Sequence, residues 1–200
     1  MTQSHFSLPW LDVSGEDIPP TPIALNATCC ALCKWPADRL FKFDAPLPKL
    51  STEDSQAPNP ATHALCSLCW LSLHLDSPSA AYGVLCWIPG ISPVDVINLQ
   101  RMALIASLDG STEQKKTGRK VLKWLFRHKK ETDYYWKSVR PVEFAQALSR
   151  QHPDERLILR KKLAGTHLVM SLDAFSDSSL LLPAGVTAQQ LLATLTLPTL

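Results

Sequence analysis

Four cysteines in two Cys-x-x-Cys pairs carry the clearest chemistry in this sequence. Cys30 and Cys33 lie in Thr28-Cys29-Cys30-Ala31-Leu32-Cys33, and Cys66 and Cys69 lie in Ala64-Leu65-Cys66-Ser67-Leu68-Cys69-Trp70. A turn of that length aims two thiolates at one point, and two such turns can enclose a tetrahedral ion. The usual occupant is zinc, held by four sulfurs at about 2.3 Å. The stretch between Cys33 and Cys66 is longer than the roughly 15–20 residues of a simple ribbon, so it must carry structure of its own.

Competing chemistries fit less well. Two disulfides need an oxidising compartment, whereas Met1-Thr2-Gln3-Ser4-His5 has no basic start followed by an apolar run and does not read as a secretory signal. A redox Cys-x-x-Cys has no need of a second copy. A catalytic zinc keeps an open position for water, which four thiolates deny it. The expectation is therefore one structural zinc per chain on Cys30, Cys33, Cys66 and Cys69. Cys29 and Cys33 form a second pairing at wider spacing, so whether Cys29 replaces Cys30 stays open. Cys86, within Val84-Leu85-Cys86-Trp87-Ile88, reads as a core residue.

The elements that position these thiolates follow from pattern. Leu40 to Phe43 reads as a short strand. Residues 45–62, with Pro46, Pro48, Pro58 and Pro60, read as a loop. Cys66 and Cys69 are expected at the start of a short helix. A knuckle, then strands, then a helix whose first turn supplies two more ligands is the treble-clef arrangement, in which metal replaces much of the core that so small a unit lacks. Ahead of it, residues 1–28 are punctuated by prolines, and Phe6, Leu8, Trp10 and Leu11 are placed to anchor an extended arm.

Beyond the knuckles, Val84 to Ile88 reads as a buried strand. Ser92-Pro93-Val94-Asp95 starts a helix that runs to about Leu108, apolar nearly all round and hence buried. A helix over 112–130 follows. Lys116, Arg119, Lys120, Lys123, Arg127 and Lys130 form a basic stripe on it, opposite Val121, Leu122, Leu125 and Phe126, and no Asp or Glu occurs between Lys115 and Lys130. A solvated helix face has this pattern too; as a functional surface it would dock an acidic partner or phosphate. Trp124, Tyr134, Tyr135 and Trp136 supply apolar anchors for a protein partner. Two short helices are expected over 141–150, with Val142, Phe144, Ala145 and Leu148 inward, and over 153–164, with Gly165 as C-cap. Strands at 168–170 and 180–182 would form a hairpin around 173–179. Thr187-Ala188-Gln189-Gln190 opens a last helix through Leu195.

The whole chain agrees with a globular reading. It has 200 residues, is 46% hydrophobic and 19% charged, and its sixteen prolines against seven glycines predict rigid, irregular connections. A formal charge of +2 is too small for bulk charge to imply nucleic acid. No apolar stretch reaches the ~18 residues of a membrane helix, so a cytoplasmic location is expected.

Four-cysteine treble clefs occur in HNH nucleases, where a histidine at the hairpin's strand end and a second ligand set do the chemistry. Here Asp44 is followed by Ala45, and Trp70 follows Cys69. Asn59 lies near the middle asparagine position; His63 reads as a neighbour of the zinc site and His74 as a helix-surface residue. Phosphate loops and nucleophile elbows do not occur.

With these motifs in place, the chain resembles the DotN/IcmJ family of type IVB secretion and related conjugation systems. The likeness rests on the two knuckles, on Tyr82-Gly83-Val84-Leu85-Cys86-Trp87-Ile88-Pro89-Gly90-Ile91-Ser92 and on Val121-Leu122-Lys123-Trp124-Leu125-Phe126-Arg127, and covers roughly residues 28–150. It implies an HNH-like zinc fold without nuclease residues, serving as a structural subunit beside the coupling ATPase that selects substrates. The expected class is α+β: an N-terminal arm (1–27), a treble-clef, HNH-like four-cysteine zinc core with packed helices (28–150), and a C-terminal α/β segment (151–200) packed on it. The expected function is that of a non-enzymatic zinc adaptor. It would bind the coupling ATPase's C-terminal segment and neighbouring secretion-system subunits, peripherally on the cytoplasmic side of the inner-membrane apparatus. An HNH-type nuclease and a zinc-stabilised DNA-binding module are the alternatives.

Overall fold

A computed structural model describes residues 11–13, 27–44 and 62–194. In chain order the elements are β1 (Phe41–Phe43), β2 (His63–Leu65), α1 (Ser67–Ser72), a 3-10 turn (Pro78–Tyr82), β3 (Gly83–Trp87), α2 (Pro93–Asp109), α3 (Thr112–Arg127), α4 (Lys129–Trp136), α5 (Pro141–Ser149), α6 (Pro153–Lys162), β4 (Thr166–Met170), a second 3-10 turn (Leu172–Ala174) and α7 (Ala188–Ala193). This is a mixed α+β chain with small sheets.

β1 and β2 pair antiparallel, Phe41 opposite Leu65 and Phe43 opposite His63. Phe41 and Phe43 turn inward while Lys42 faces solvent and pairs with Asp44 at 2.7 Å. α1 follows at once and is buried on every side. The described part of the N-terminal arm lies along its exit. Leu11 is buried, Asp12 N–H donates to the Ser72 carbonyl, and Leu75 N–H donates to the Asp12 carbonyl. Phe6, Leu8, Trp10, Ala45, Asn59 and nearly all of the proline-rich loop lie outside the described residues.

The second sheet joins β3 to β4 antiparallel, from Gly83 opposite Met170 to Trp87 opposite Thr166. Both outer edges are closed, so neither offers a free ladder. Along β4, the buried Gln100 of α2 donates to the Leu168 carbonyl and accepts from Met170 N–H. Along β3, the Val139 and His128 carbonyls accept from Leu85 and Trp87 N–H. This pairing corrects the expected 168–170/180–182 hairpin. Residues 180–182 are not a strand: they lie in turns whose carbonyls accept from Ser67, Trp35 and Asp38.

α2 starts as the Ser92-Pro93 signal implies, with Ser92 Oγ accepting from Asp95 N–H. It is buried through most of its length, and α3 crosses it closely. A Cβ at Gly118 would meet the Ala103 carbonyl oxygen and Ser107 Oγ at 2.6 Å. The expected 112–130 helix is two helices. α3 ends at Arg127, where the His128 carbonyl turns to serve β3, and α4 carries Tyr134, Tyr135 and Trp136 within its span. α5 forms as expected, except that Val142 is 41% exposed and points outward. The capping box of Thr187 and Gln190 opens α7; Leu195 lies outside the described residues. Among the described residues no helix is long and apolar enough to cross a membrane.

His167, opposite Cys86 on β4, is buried with its Nε2 unpaired. Burial lowers its pKa from 6.5 to about 4, against a hydrogen bond to the Ile88 backbone that raises it. The folded chain thus keeps this ring neutral where the unfolded chain protonates it. Its contribution is fully present above pH 6.5 and is lost as pH falls towards 4, by about 3 kcal/mol in all. Urea unfolding from pH 7 to 4 should show this acid slope in the wild-type chain, and His167→Val should lack it. Parallel curves for the two would refute the assignment.

Candidate metal centre

The first knuckle is a tight turn closed by its own backbone. Lys34 N–H donates to the Cys30 carbonyl at 2.9 Å, Cys30 N–H donates to the Trp35 carbonyl at 2.8 Å, and Lys34 takes a left-handed conformation (φ 60°). Ala31 N–H donates to the Ala64 carbonyl at 2.8 Å, which fastens this knuckle to β2 just before Cys66. Cys66 is the N-cap of α1, and Cys69 sits in its first turn. Residues 180–184 strap the assembly from outside: Ala37 bridges to Pro183, and Ala184 N–H donates to the Pro36 carbonyl.

These elements bring Cys30, Cys33, Cys66 and Cys69 together, all buried, with their Sγ atoms within 4.8 Å of one another. Cys33 and Cys66 Sγ are 3.6 Å apart. A tetrahedron of zinc–sulfur bonds of about 2.3 Å has edges of about 3.8 Å, whereas a disulfide needs about 2.05 Å. The donor set therefore fits one tetrahedral, thiolate-bound ion. Cys29 is partly exposed and outside the cluster, and Cys86 is a core thiol that burial pushes up to about 12. His63 pairs with Phe43 at the start of β2 and does not join the sulfurs.

The electrostatics suit a bound cation. Hydrogen bonding from Cys30, then from Cys66 and Cys69, holds the Cys33 thiol far below its ordinary value. Burial first, then the neighbouring sulfurs, pushes Cys66 and Cys69 well above theirs. Four sulfurs this close and this dry cannot all ionise on their own, and a divalent ion removes the conflict.

Sequence reasoning missed Arg101. It is 1% exposed in the middle of α2, and its Nη2 donates to Cys66 Sγ at 3.0 Å and to Cys33 Sγ at 3.3 Å. Asn98 Oδ1 accepts from its Nη1, and the Trp35 ring lies 4.5 Å away beneath the guanidinium. Burial alone would lower its pKa; negative charge at Cys66 and then Cys33 more than offsets this and raises it. The available signal was one cation, the only Lys or Arg between Pro93 and Asp109, in a helix apolar nearly all round.

His74 departs from its expected place on a helix surface. It is buried, stacked on Trp70 with centroids 3.5 Å apart, and bonded to the Trp70 carbonyl at 2.7 Å. Since a carbonyl only accepts, Nδ1 carries the proton.

The expected partner surface divides. Lys116, Arg119, Lys120, Lys123, Arg127 and Lys130 are all exposed, and Glu113 pairs with Lys116 only at 4.0 Å. Trp124, Tyr134 and Tyr135 are exposed at 40%, 70% and 64%. Tyr135 meets Tyr134 and Trp87 edge-on, and Trp124 meets His128. Trp136 is half-buried and packs on Phe144 of α5, away from that group.

The fold and the site define a mixed α+β protein with one buried four-cysteine metal site. No protein-family model matches the chain, and no curated protein matches it either.

Proposed function

We propose that the protein is a structural zinc-binding adaptor of a type IVB secretion or conjugation coupling complex, holding the C-terminal tail of the coupling ATPase on the cytoplasmic side. The observation that carries this reading is the closed donor set: four buried cysteines leave no position for a reacting water. The order of knuckle, β1–β2 hairpin and helix supports a treble-clef core, and the DotN/IcmJ resemblance over roughly 28–150 supplies the partner class. Trp70, at a position where an HNH nuclease often carries a histidine or asparagine, is buried and stacked on His74. That is a packing role, in keeping with a non-enzyme. The chain should leave plasmid DNA uncut with Mg²⁺ or Mn²⁺.

The docking surface in this reading is the outward side of α3 and α4. Trp124 lies among its cations and Tyr134 and Tyr135 follow them, residue types that dominate binding energy at protein interfaces. A DNA-binding reading draws on the same cations and makes a different forecast. Six phosphate contacts would cost ~10³-fold or more in affinity between about 50 and 200 mM salt. Lys120→Glu combined with Arg127→Glu should weaken binding of a coupling-ATPase tail peptide by about tenfold or more, and the wild-type complex should survive the higher salt. Loss of tight, salt-sensitive duplex binding with tail binding unchanged would instead make α3 a nucleic-acid surface.

A further inference from the structure

We propose that Arg101 belongs to the metal centre as a buried counter-charge, a positioning residue that sets how firmly the four thiolates hold their ion. The inference rests on the metal reading and extends it to a residue that binds no metal itself. A divalent ion with four thiolates carries a net charge of −2, and one guanidinium beside it brings the buried group to −1. A buried guanidinium is stable only against an anion with good geometry, and here the groups within reach of Nη2 are two sulfurs, one from each knuckle. A neutral thiol is a weak acceptor and a thiolate a strong one, so the contact is strongest when the sulfurs are ionised on a metal.

The guanidinium is held as a fixed part of the site. Asn98 binds Nη1 from the preceding turn of α2, and Trp35 covers one face. Trp35 is itself anchored, its Nε1–H donating to the Leu181 carbonyl at 3.1 Å. One nitrogen, Nη2, therefore reaches Cys33 and Cys66 together while Nη1 is held by Asn98, a two-nitrogen arrangement that the point charge of a lysine reproduces poorly. Charge is withdrawn from these two sulfurs, and the knuckles are tied to α2 as well as to the ion. Partners outside the ligand set commonly govern metal retention by about 10–100-fold.

The test uses the full-length protein loaded with zinc, cobalt(II) or cadmium-113. Arg101→Met should still give the intense tetrahedral cobalt–thiolate spectrum, since all four ligands remain. Its sulfur-to-cobalt charge-transfer band should move to lower energy, and zinc should pass to a colorimetric chelator about 10–100-fold faster than from wild type. Arg101→Lys should recover part of that loss. Should Arg101→Met not fold, wild-type protein with cadmium-113 still decides: the Arg101 guanidinium protons should show through-bond coupling to the metal. An unshifted band with zinc release within twofold of wild type, or no such coupling, overturns the proposal. Failure of the wild-type chain to bind any of the three metals would sink the metal reading instead.

Discussion

Stripped of its metal, the protein should lose the knuckle-and-hairpin core outright. Cys30, Cys33, Cys66 and Cys69 lie within one continuous buried cluster with Phe41, Leu65, Trp70 and Leu71. The strands that flank them are three residues each, too short to hold without support. Metal binding at a four-cysteine site is folding energy, on the order of 10 kcal/mol. Elemental analysis should find one zinc per chain. Excess chelator, or Cys69→Ala, should abolish the near-ultraviolet signal of the packed tryptophans and lower the melting temperature sharply. Unchanged melting of a demonstrably metal-free chain would refute the structural role.

The second large effect is expected at Trp70. Its ring is 1% exposed, stacks on His74 with an interplanar angle of 6°, and meets Phe41 at 6.4 Å. Trp70→Ala removes the largest side chain of α1, which packs on Phe41 and His74, and leaves a cavity in a segment buried on all sides. A loss of about 3–5 kcal/mol in urea unfolding of the zinc-loaded protein is expected. Trp70→Phe should cost clearly less, because the stacking surface partly survives. A loss below about 1 kcal/mol for Trp70→Ala would mean that the ring is not a keystone of this core.

Local chemistry was legible in the sequence. Two Cys-x-x-Cys turns announce a metal site because each turn by itself aims two sulfurs at a point. The same holds for the Ser92-Pro93 helix start, the Thr187–Gln190 capping box, the buried character of α2 and the outward cations of α3. Each depends on residues a few positions apart, and short-range geometry is nearly independent of the rest of the chain.

Only the tertiary structure decided the long-range partners. β4 pairs with β3 rather than with 180–182, whose carbonyls accept from Ser67, Trp35 and Asp38 instead. The 112–130 helix breaks at His128 because its carbonyl is drawn to Trp87. Cys30 rather than Cys29 enters the cluster through a turn that is fastened to Ala64. Arg101 drew no reading from local pattern, and for His74 a solvent-facing reading was reasonable. Burial reverses it: a charge or a ring removed from water needs a partner of matching chemistry, and Cys33, Cys66 and Trp70 become those partners only once the chain has folded.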